Sequence, residues 1–148
     1  MDNSVKSTNE LLDEILSGDP KKVWYSSCAI MKLSQDDERI KEFVPYLNEI
    51  KLKTANLELG GALVPNKRFV KKVIKTLEHY RYGQGCSCCL LSEDDDPHDY
   101  NTIEIREEVN YEGRTWIDYY VVECKKCKQK YKVSERLYHY TWWDWQSM

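Results

Sequence analysis

The sequence predicts an α+β protein with a helical N-terminal part and a small antiparallel β-sheet at its C-terminal end. Up to residue 82, apolar residues recur at the three- and four-residue spacing of amphipathic helices. After residue 102, two runs are rich in β-branched and aromatic side chains, which favour strands. The composition, 41% hydrophobic and 32% charged, is that of a globular chain. We therefore expect antiparallel helical hairpins packed on the sheet.

Three short helices are predicted within the first 50 residues. Ser7 and Glu10 form a capping box before the first apolar stripe. Asp19 is expected to cap the second helix. The acidic run at 36–38 opens the third helix, in which Pro45 predicts a kink or a restart because proline lacks the backbone N–H.

A fourth helix is predicted to begin at Asn66, which we expect to act as its side-chain cap. Residues 57–64, with two adjacent glycines, fit a weak helix or an extended connector equally well. Short helices in antiparallel pairs, with a proline inside a helix, resemble HEAT-like helical hairpins. This resemblance covers roughly residues 10–81.

The strands are predicted after Tyr82, where helical periodicity ends. Residues 102–109 and 115–123 are expected to form a β-hairpin with the turn between them. Residues 129–142 suggest a third, longer strand with a break at Ser134 and Glu135.

Two CxxC pairs predict a metal site in the C-terminal part. Cys86 and Cys89 form the first pair, and Cys124 and Cys127 form the second. A CxxC turn points two thiolates at one ion, and zinc takes four ligands in a tetrahedron. We therefore expect one structural Zn²⁺ per chain, with Cys88 as a substitute ligand for either member of the first pair.

Other interpretations of the cysteines stay open. Thiols without a metal, either reduced or linked as disulfides, would show the same pattern. A redox CxxC is expected to open a helix in a βαβ unit, and neither pair is predicted to do so. His98 is a second candidate substitute ligand. Cys28 lies on a helical face with Trp24 and Met31 and is expected to be a core residue.

Each CxxC turn is called a knuckle below. The order of elements resembles a zinc ribbon, in which a knuckle, a β-hairpin, a second knuckle and a closing strand follow one another. The 34 residues between the two pairs exceed the usual roughly 15–20, and the acidic loop at 92–101 accounts for the excess. The two resemblances divide the chain into a HEAT-like part, 1–82, and a zinc-ribbon-like part, 83–148, expected to form one compact unit. A structural zinc leaves no position for an activated water, so we expect no enzymatic activity.

The charge is unevenly distributed and predicts a surface for a protein partner. Residues 92–123 carry eleven acidic and two basic side chains, although the net charge of the chain is only −3. Clustered carboxylates attract a basic surface, and exposed aromatic rings are common anchors of interfaces. The predicted partner-binding residues are Glu93, Asp94, Asp95, Asp96, Asp99, Trp142, Trp143 and Trp145.

These features predict a non-enzymatic, cytoplasmic protein-binding module, since no signal peptide, membrane span or catalytic motif is recognised. In size and acidity the chain is similar to bacterial toxin-immunity proteins, which implies a basic nuclease toxin as the partner. The alternative is a nucleic-acid-associated zinc ribbon that uses the lysines between residues 125 and 132. Those lysines equally protect a sheet edge from aggregation. No membrane partner is expected.

Overall fold

The computed structural model describes residues 6–61, 65–138 and 140–148, and of Tyr138 only the backbone. The chain divides into two compact units, Met1–Ser87 and Cys88–Met148. The first contains the helices and the second contains the sheet, so the predicted α+β class is confirmed. The expected boundary at residue 83 lies inside the first unit, where the last helix ends. Within the described ranges, every helix is too short or too polar to cross a membrane.

The described part of the first unit contains five α-helices, and the first two begin where their capping residues predict. The five helices are α1 Thr8–Ile15, α2 Pro20–Met31, α3 Asp37–Lys41, α4 Leu47–Thr54 and α5 Lys67–Tyr82. Both hydrogen bonds of the capping box are present, since Ser7 Oγ accepts from Glu10 N and the Glu10 carboxylate accepts from Ser7 N. Asp19 caps α2 by accepting from Lys21 N at 3.0 Å. These two predicted caps are confirmed.

The predicted third helix is interrupted at Pro45. A 3₁₀ turn, Val44–Tyr46, separates α3 from α4, so the proline marks a restart. Asn66 is the N-cap residue of α5, as predicted, but its side chain makes no capping hydrogen bond: its backbone is already helical, and its side-chain amide donates to Leu59 O at 3.1 Å. The described part of the 57–64 segment is not helical, and residues 62–64 lie outside the described ranges.

A cluster of apolar side chains forms the core of the first unit. Helix α2 packs against α1 and α5, and α4 packs against α5. Each of these helices contributes side chains that are almost completely shielded from solvent. The cluster consists of Leu11, Leu12, Ile15, Val23, Ile30, Ile40, Phe43, Leu47, Ile50, Val70, Val73 and Leu77.

The second unit is an antiparallel meander of four strands. The strands are β1 Ile103–Asn110, β2 Ile117–Cys124, β3 Lys130–Tyr138 and β4 Tyr140–Ser147, in the order β1-β2-β3-β4. The hairpin of β1 and β2 is as predicted. The single third strand predicted for residues 129–142 is wrong, because β3 and β4 pair with each other and Tyr138 lies opposite Tyr140. Residue 139, between them, lies outside the described residues.

The strand register decides which aromatic rings are buried. Tyr120 pairs with Val133, which pairs with Trp145, so these side chains share one face of the sheet. Trp143 lies on the same face and is only 8% exposed. Trp142 and Asp144 project from the opposite face and are partly exposed. The predicted alternation of the C-terminal aromatic residues is therefore present in β4.

Candidate metal centre

The first cysteine knuckle is a short 3₁₀ helix, Ser87–Leu90, that follows Cys86. Three residues per turn give such a helix three faces. Ser87 and Leu90 share one buried face, Cys88 occupies a second, and Cys89 is left on the exposed third face. Cys88 and Cys89 therefore lie on different faces, and in the folded chain Cys88 is turned inward and Cys89 towards solvent.

The second knuckle is the turn that follows β2. Cys124, the last residue of β2, is completely buried, and Cys127 is exposed. Lys128 adopts a φ of 69°, in the left-handed region that favours glycine, and its N–H donates to Cys124 O at 2.8 Å. This bond closes the turn and holds Cys124 and Cys127 close to each other.

Four cysteine sulfurs converge at this point. The Sγ atoms of Cys86, Cys88, Cys124 and Cys127 all lie within 4.8 Å of one another. Cys88 Sγ and Cys127 Sγ are 3.5 Å apart. A tetrahedral zinc with bonds of about 2.3 Å holds its sulfurs roughly 3.8 Å apart, whereas a disulfide requires about 2.05 Å. The sulfur spacing therefore fits a shared metal ion and does not fit a disulfide between these two.

The group differs from the predicted ligand set at one position. Cys88, named above as the substitute, is in the group, and Cys89 is not, because the 3₁₀ helix directs it to solvent. The second substitute, His98, is not in the group either, and its Nδ1 lies 2.7 Å from Asp96 Oδ1. Cys28 is half-buried on α2.

A tyrosine of β3 contacts the cluster. The hydroxyl of Tyr131 lies 3.1 Å from Cys88 Sγ. Burial raises the pKa of the Tyr131 phenol, and its hydrogen bond to Cys88 adds to this effect. The hydroxyl therefore keeps its proton, and its O–H can donate a hydrogen bond to the Cys88 sulfur when that sulfur is a thiolate. Such donors outside the ligand set orient and tune metal ligands.

A buried polar network lies beside the first knuckle, within the first unit. Gln35 Nε2 donates to Ser87 O at 2.8 Å, and Ser87 Oγ donates to Gln35 Oε1 at 3.2 Å. Gln35 and Ser87 are each 4% exposed. Tyr80 Oη lies 2.6 Å from Asp37 Oδ1 and 2.7 Å from Ser34 O. The sequence contained no signal for this network, because its members are far apart in the chain.

The acidic loop contains one carboxylate that is internal to the fold. Asp95 is 1% exposed; Tyr100 Oη donates to its Oδ1 at 2.6 Å and Ser92 N donates to its Oδ2 at 2.7 Å. Trp145 Nε1 donates to Asp95 O at 3.0 Å. Asp95, predicted above to bind a partner, is therefore unavailable at the surface because these donors hold it inside.

The other predicted partner-binding residues differ in exposure. Glu93 and Asp99 are exposed, Asp94 and Asp96 are half-buried, and Asp96 also caps the short 3₁₀ turn that follows it. Trp142 and Trp145 are partly exposed. A cleft of about 210 Å³ brings part of this set together; it is lined by Leu91, Ser92, Glu93, Trp142, Trp143, Asp144 and Trp145.

A second aromatic surface lies at the β1–β2 turn and was not singled out from the sequence. The rings of Tyr111 and Trp116 stack with centroids 6.0 Å apart, and Arg114 lies 5.4 Å from the Trp116 ring. Tyr111 is 46% exposed and Trp116 is 56% exposed. In the sequence, only the position of the two rings on either side of a predicted turn could have indicated this pair, because the rings come together when β1 and β2 pair.

Comparisons with known proteins gave no match that would identify the chain. No protein-family model matches the sequence, and no match was found among curated proteins or solved structures. The HEAT-like and zinc-ribbon-like resemblances stay predictions, while the four-cysteine group supports a metal-binding module.

Proposed function

We propose that this chain is a non-enzymatic protein-binding module whose C-terminal sheet is organised by one structural zinc ion. The observation that carries the proposal is the convergence of the four sulfurs of Cys86, Cys88, Cys124 and Cys127 within 4.8 Å. Four thiolates fill a tetrahedral shell and leave no position for substrate or water. The ion would therefore stabilise the fold and would not carry a reaction.

Zinc is the metal that this ligand set suits best. Thiolates are soft ligands, and a tetrahedral set of four sulfurs is typical of zinc or of iron–sulfur centres. Burial of Cys88 and Cys124 excludes water from one side of the group, as in structural sites. The Tyr131 hydroxyl lies within hydrogen-bond distance of the cluster, 3.1 Å from Cys88 Sγ.

The proposed partner is a protein with a basic surface. The cleft beside β4 combines the exposed Glu93 and the partly exposed Asp144 with the ring of Trp142, and such rings attract cations through their faces. The Tyr111–Trp116 pair adds the residue types that dominate binding energy at interfaces. A nuclease toxin, whose substrate cleft is basic, is the partner that an immunity protein of this chemistry would neutralise.

The zinc part of the proposal is tested by elemental analysis of protein purified without added metal. We expect about one zinc per chain, as one four-thiolate site requires. Stoichiometric iron in place of zinc would support the four-cysteine metal site but would contradict zinc as its metal. A folded chain with no stoichiometric metal would overturn the proposal.

The partner part is tested by affinity capture from the native host with matched variants. Glu93→Gln and Trp142→Ala should each reduce recovery of a basic protein, and Trp116→Ala should do so if the second aromatic surface takes part. Leu137→Ala is the control, because it removes an apolar side chain that is 78% exposed on the same sheet. Equal recovery by every variant would contradict the proposed surface.

The nucleic-acid alternative predicts a different result. Binding of single-stranded RNA or duplex DNA should then fall steeply with salt and depend on the exposed Lys125, Lys128 and Lys130. We expect no such binding at low salt. A strong, salt-dependent affinity that is lost in the Lys-to-Gln variants would replace the protein-partner proposal.

A further inference from the structure

The backbone between two proposed metal ligands is held by a side chain from a distant part of the first unit. Ser87 separates Cys86 from Cys88, so its position limits where both sulfurs can be placed. Gln35 contacts two hydrogen-bonding groups of Ser87, the backbone carbonyl and the side-chain hydroxyl. One amide therefore satisfies two polar groups of a single buried residue.

The geometry of these two bonds is that of a reciprocal pair. The amide nitrogen of Gln35 donates to Ser87 O at 2.8 Å, and the amide oxygen accepts from Ser87 Oγ at 3.2 Å. A pair of this kind fixes orientation as well as distance, because both ends of the planar amide are engaged. The exposed fraction of 4% for each residue means that water cannot readily take over either bond.

Gln35 is itself held in place by its surroundings. Its Nε2 also lies 3.3 Å from Ser34 Oγ, and Ser34 is completely buried. The Ser34 carbonyl accepts from Tyr80 Oη, which comes from α5. The loop that carries Gln35 is thus hydrogen-bonded to a helix of the apolar core, and the amide has little freedom to follow Ser87 if the knuckle moves.

We propose that Gln35 is a positioning residue for the metal centre, which holds the Cys86–Cys88 knuckle in its metal-binding conformation. This inference rests on the proposed function, since it requires that the cysteine group binds a metal. Outer partners of metal ligands commonly account for about 10–100-fold in metal affinity, because a preorganised ligand loses less conformational freedom on binding. Gln35 differs from the usual outer partner in acting on the backbone between two ligands.

The test compares metal affinity and metal release in the full chain. The variants are Gln35→Ala, which removes both bonds to Ser87 together with the contact to Ser34 Oγ, and Ser87→Ala, which removes the bonds of the hydroxyl and keeps the backbone carbonyl that accepts from Gln35 Nε2. The matched control is Thr54→Val, which removes a buried hydrogen bond of the first unit, from Thr54 Oγ1 to Ile50 O at 2.6 Å, without contact to the knuckle. Zn²⁺ release to a chromogenic chelator and Co²⁺ titration are the measurements.

We expect Gln35→Ala to weaken Zn²⁺ affinity or accelerate release by about 10–100-fold, and Ser87→Ala by a smaller factor in the same direction. The Co²⁺ spectrum of Gln35→Ala should keep the thiolate charge-transfer bands of a tetrahedral site, since all four cysteines remain. Thr54→Val should stay within about twofold of the wild type, because distant sites without shared partners act independently.

The outcomes separate this inference from the proposal on which it rests. Wild-type protein that binds no Zn²⁺ or Co²⁺ overturns the metal centre itself. A wild type that binds metal, together with Gln35→Ala and Ser87→Ala variants that bind and release it equally well, overturns the positioning role alone. Equal losses in Gln35→Ala and Thr54→Val would also overturn it, because the effect would then follow general stability. If Gln35→Ala does not fold, Ser87→Ala decides the question by the same comparison.

Discussion

The two units of this chain are stabilised by different means. The first buries a cluster of apolar side chains contributed by all five of its described helices, and Ile15, Ile30 and Ile50 have no exposed surface. The second buries one face of its sheet together with a carboxylate, Asp95, and cysteine thiols. Hydrophobic burial scales with apolar area, so the first unit has the larger intrinsic driving force. The second is the unit expected to depend on a bound ion.

The largest expected effect is loss of the sheet when the metal is removed. Structural zinc sites contribute on the order of 10 kcal/mol to the folding of small metal-binding modules. A chelator should therefore abolish the protection of backbone amides in β2 and β3 against hydrogen exchange, while the amides of α2 and α5 stay protected. Sheet amides that remain protected without metal would contradict the contrast between the units.

Two adjacent cysteines provide the matched variants for this prediction. Cys88→Ser removes a member of the four-cysteine group and should lower metal content and destabilise the sheet. Cys89→Ser changes the exposed neighbour and should leave both unchanged. Metal content measured on the two purified variants makes the comparison, and the opposite result would restore the CxxC ligand set predicted from the sequence.

A core substitution in the first unit should act on the helices alone. Ile50→Ala removes a completely buried side chain and should lower the free energy of unfolding by about 2–5 kcal/mol, through lost burial and the cavity left behind. Zinc content should stay at the wild-type level. Leu52→Ala, two residues away on the same helix but 79% exposed, should change stability by less than about 0.5 kcal/mol.

The sequence was sufficient for features encoded over short distances. The capping box at Ser7, the Asp19 cap and the β1–β2 hairpin follow from local spacing and were predicted correctly. The division of residues 129–142 into two strands was missed because alternating side chains continue through this stretch with no glycine, asparagine or proline to mark the reversal. Local rules also failed for Asn66, whose amide is engaged by a carbonyl seven residues earlier.

The candidate site shows the same limit. Two CxxC pairs indicated a four-cysteine group, but the choice between Cys88 and Cys89 depends on how the 3₁₀ helix is rotated, which packing decides. Gln35 and Ser87 are 52 residues apart, so their contact required the fold. Asp95 could not be distinguished from its acidic neighbours by sequence, because Tyr100 and Ser92 bury it only when the loop is formed.

A smaller effect is expected from Asp95→Asn in the second unit. The substitution replaces an acceptor of two buried hydrogen bonds by a group that can accept only through one oxygen. We expect the sheet to lose about 1–3 kcal/mol. Asp99→Asn, at an exposed position of the same loop, is the control and should be nearly neutral. Denaturant unfolding of the zinc-bound proteins measures both, and equal stabilities would show that Asp95 has no special role.

The smallest expected effect is a gain. Lys128 holds a φ of 69° in the second knuckle, where an L side chain is strained and glycine is not. Lys128→Gly should raise stability by up to about 1 kcal/mol or leave it unchanged, because relief of strain opposes the added chain entropy of glycine. A marked loss, measured by thermal unfolding of the zinc-bound protein, would mean that the lysine side chain itself supports the turn.

The metal centre proposed for this chain is one zinc ion held by four cysteine sulfurs. X-ray absorption at the zinc edge, on protein isolated without added metal, identifies and counts the atoms bound to the ion. We expect a single shell of four sulfur atoms at about 2.3 Å. Nitrogen or oxygen atoms in that shell, or an absence of zinc from the folded protein, would contradict it.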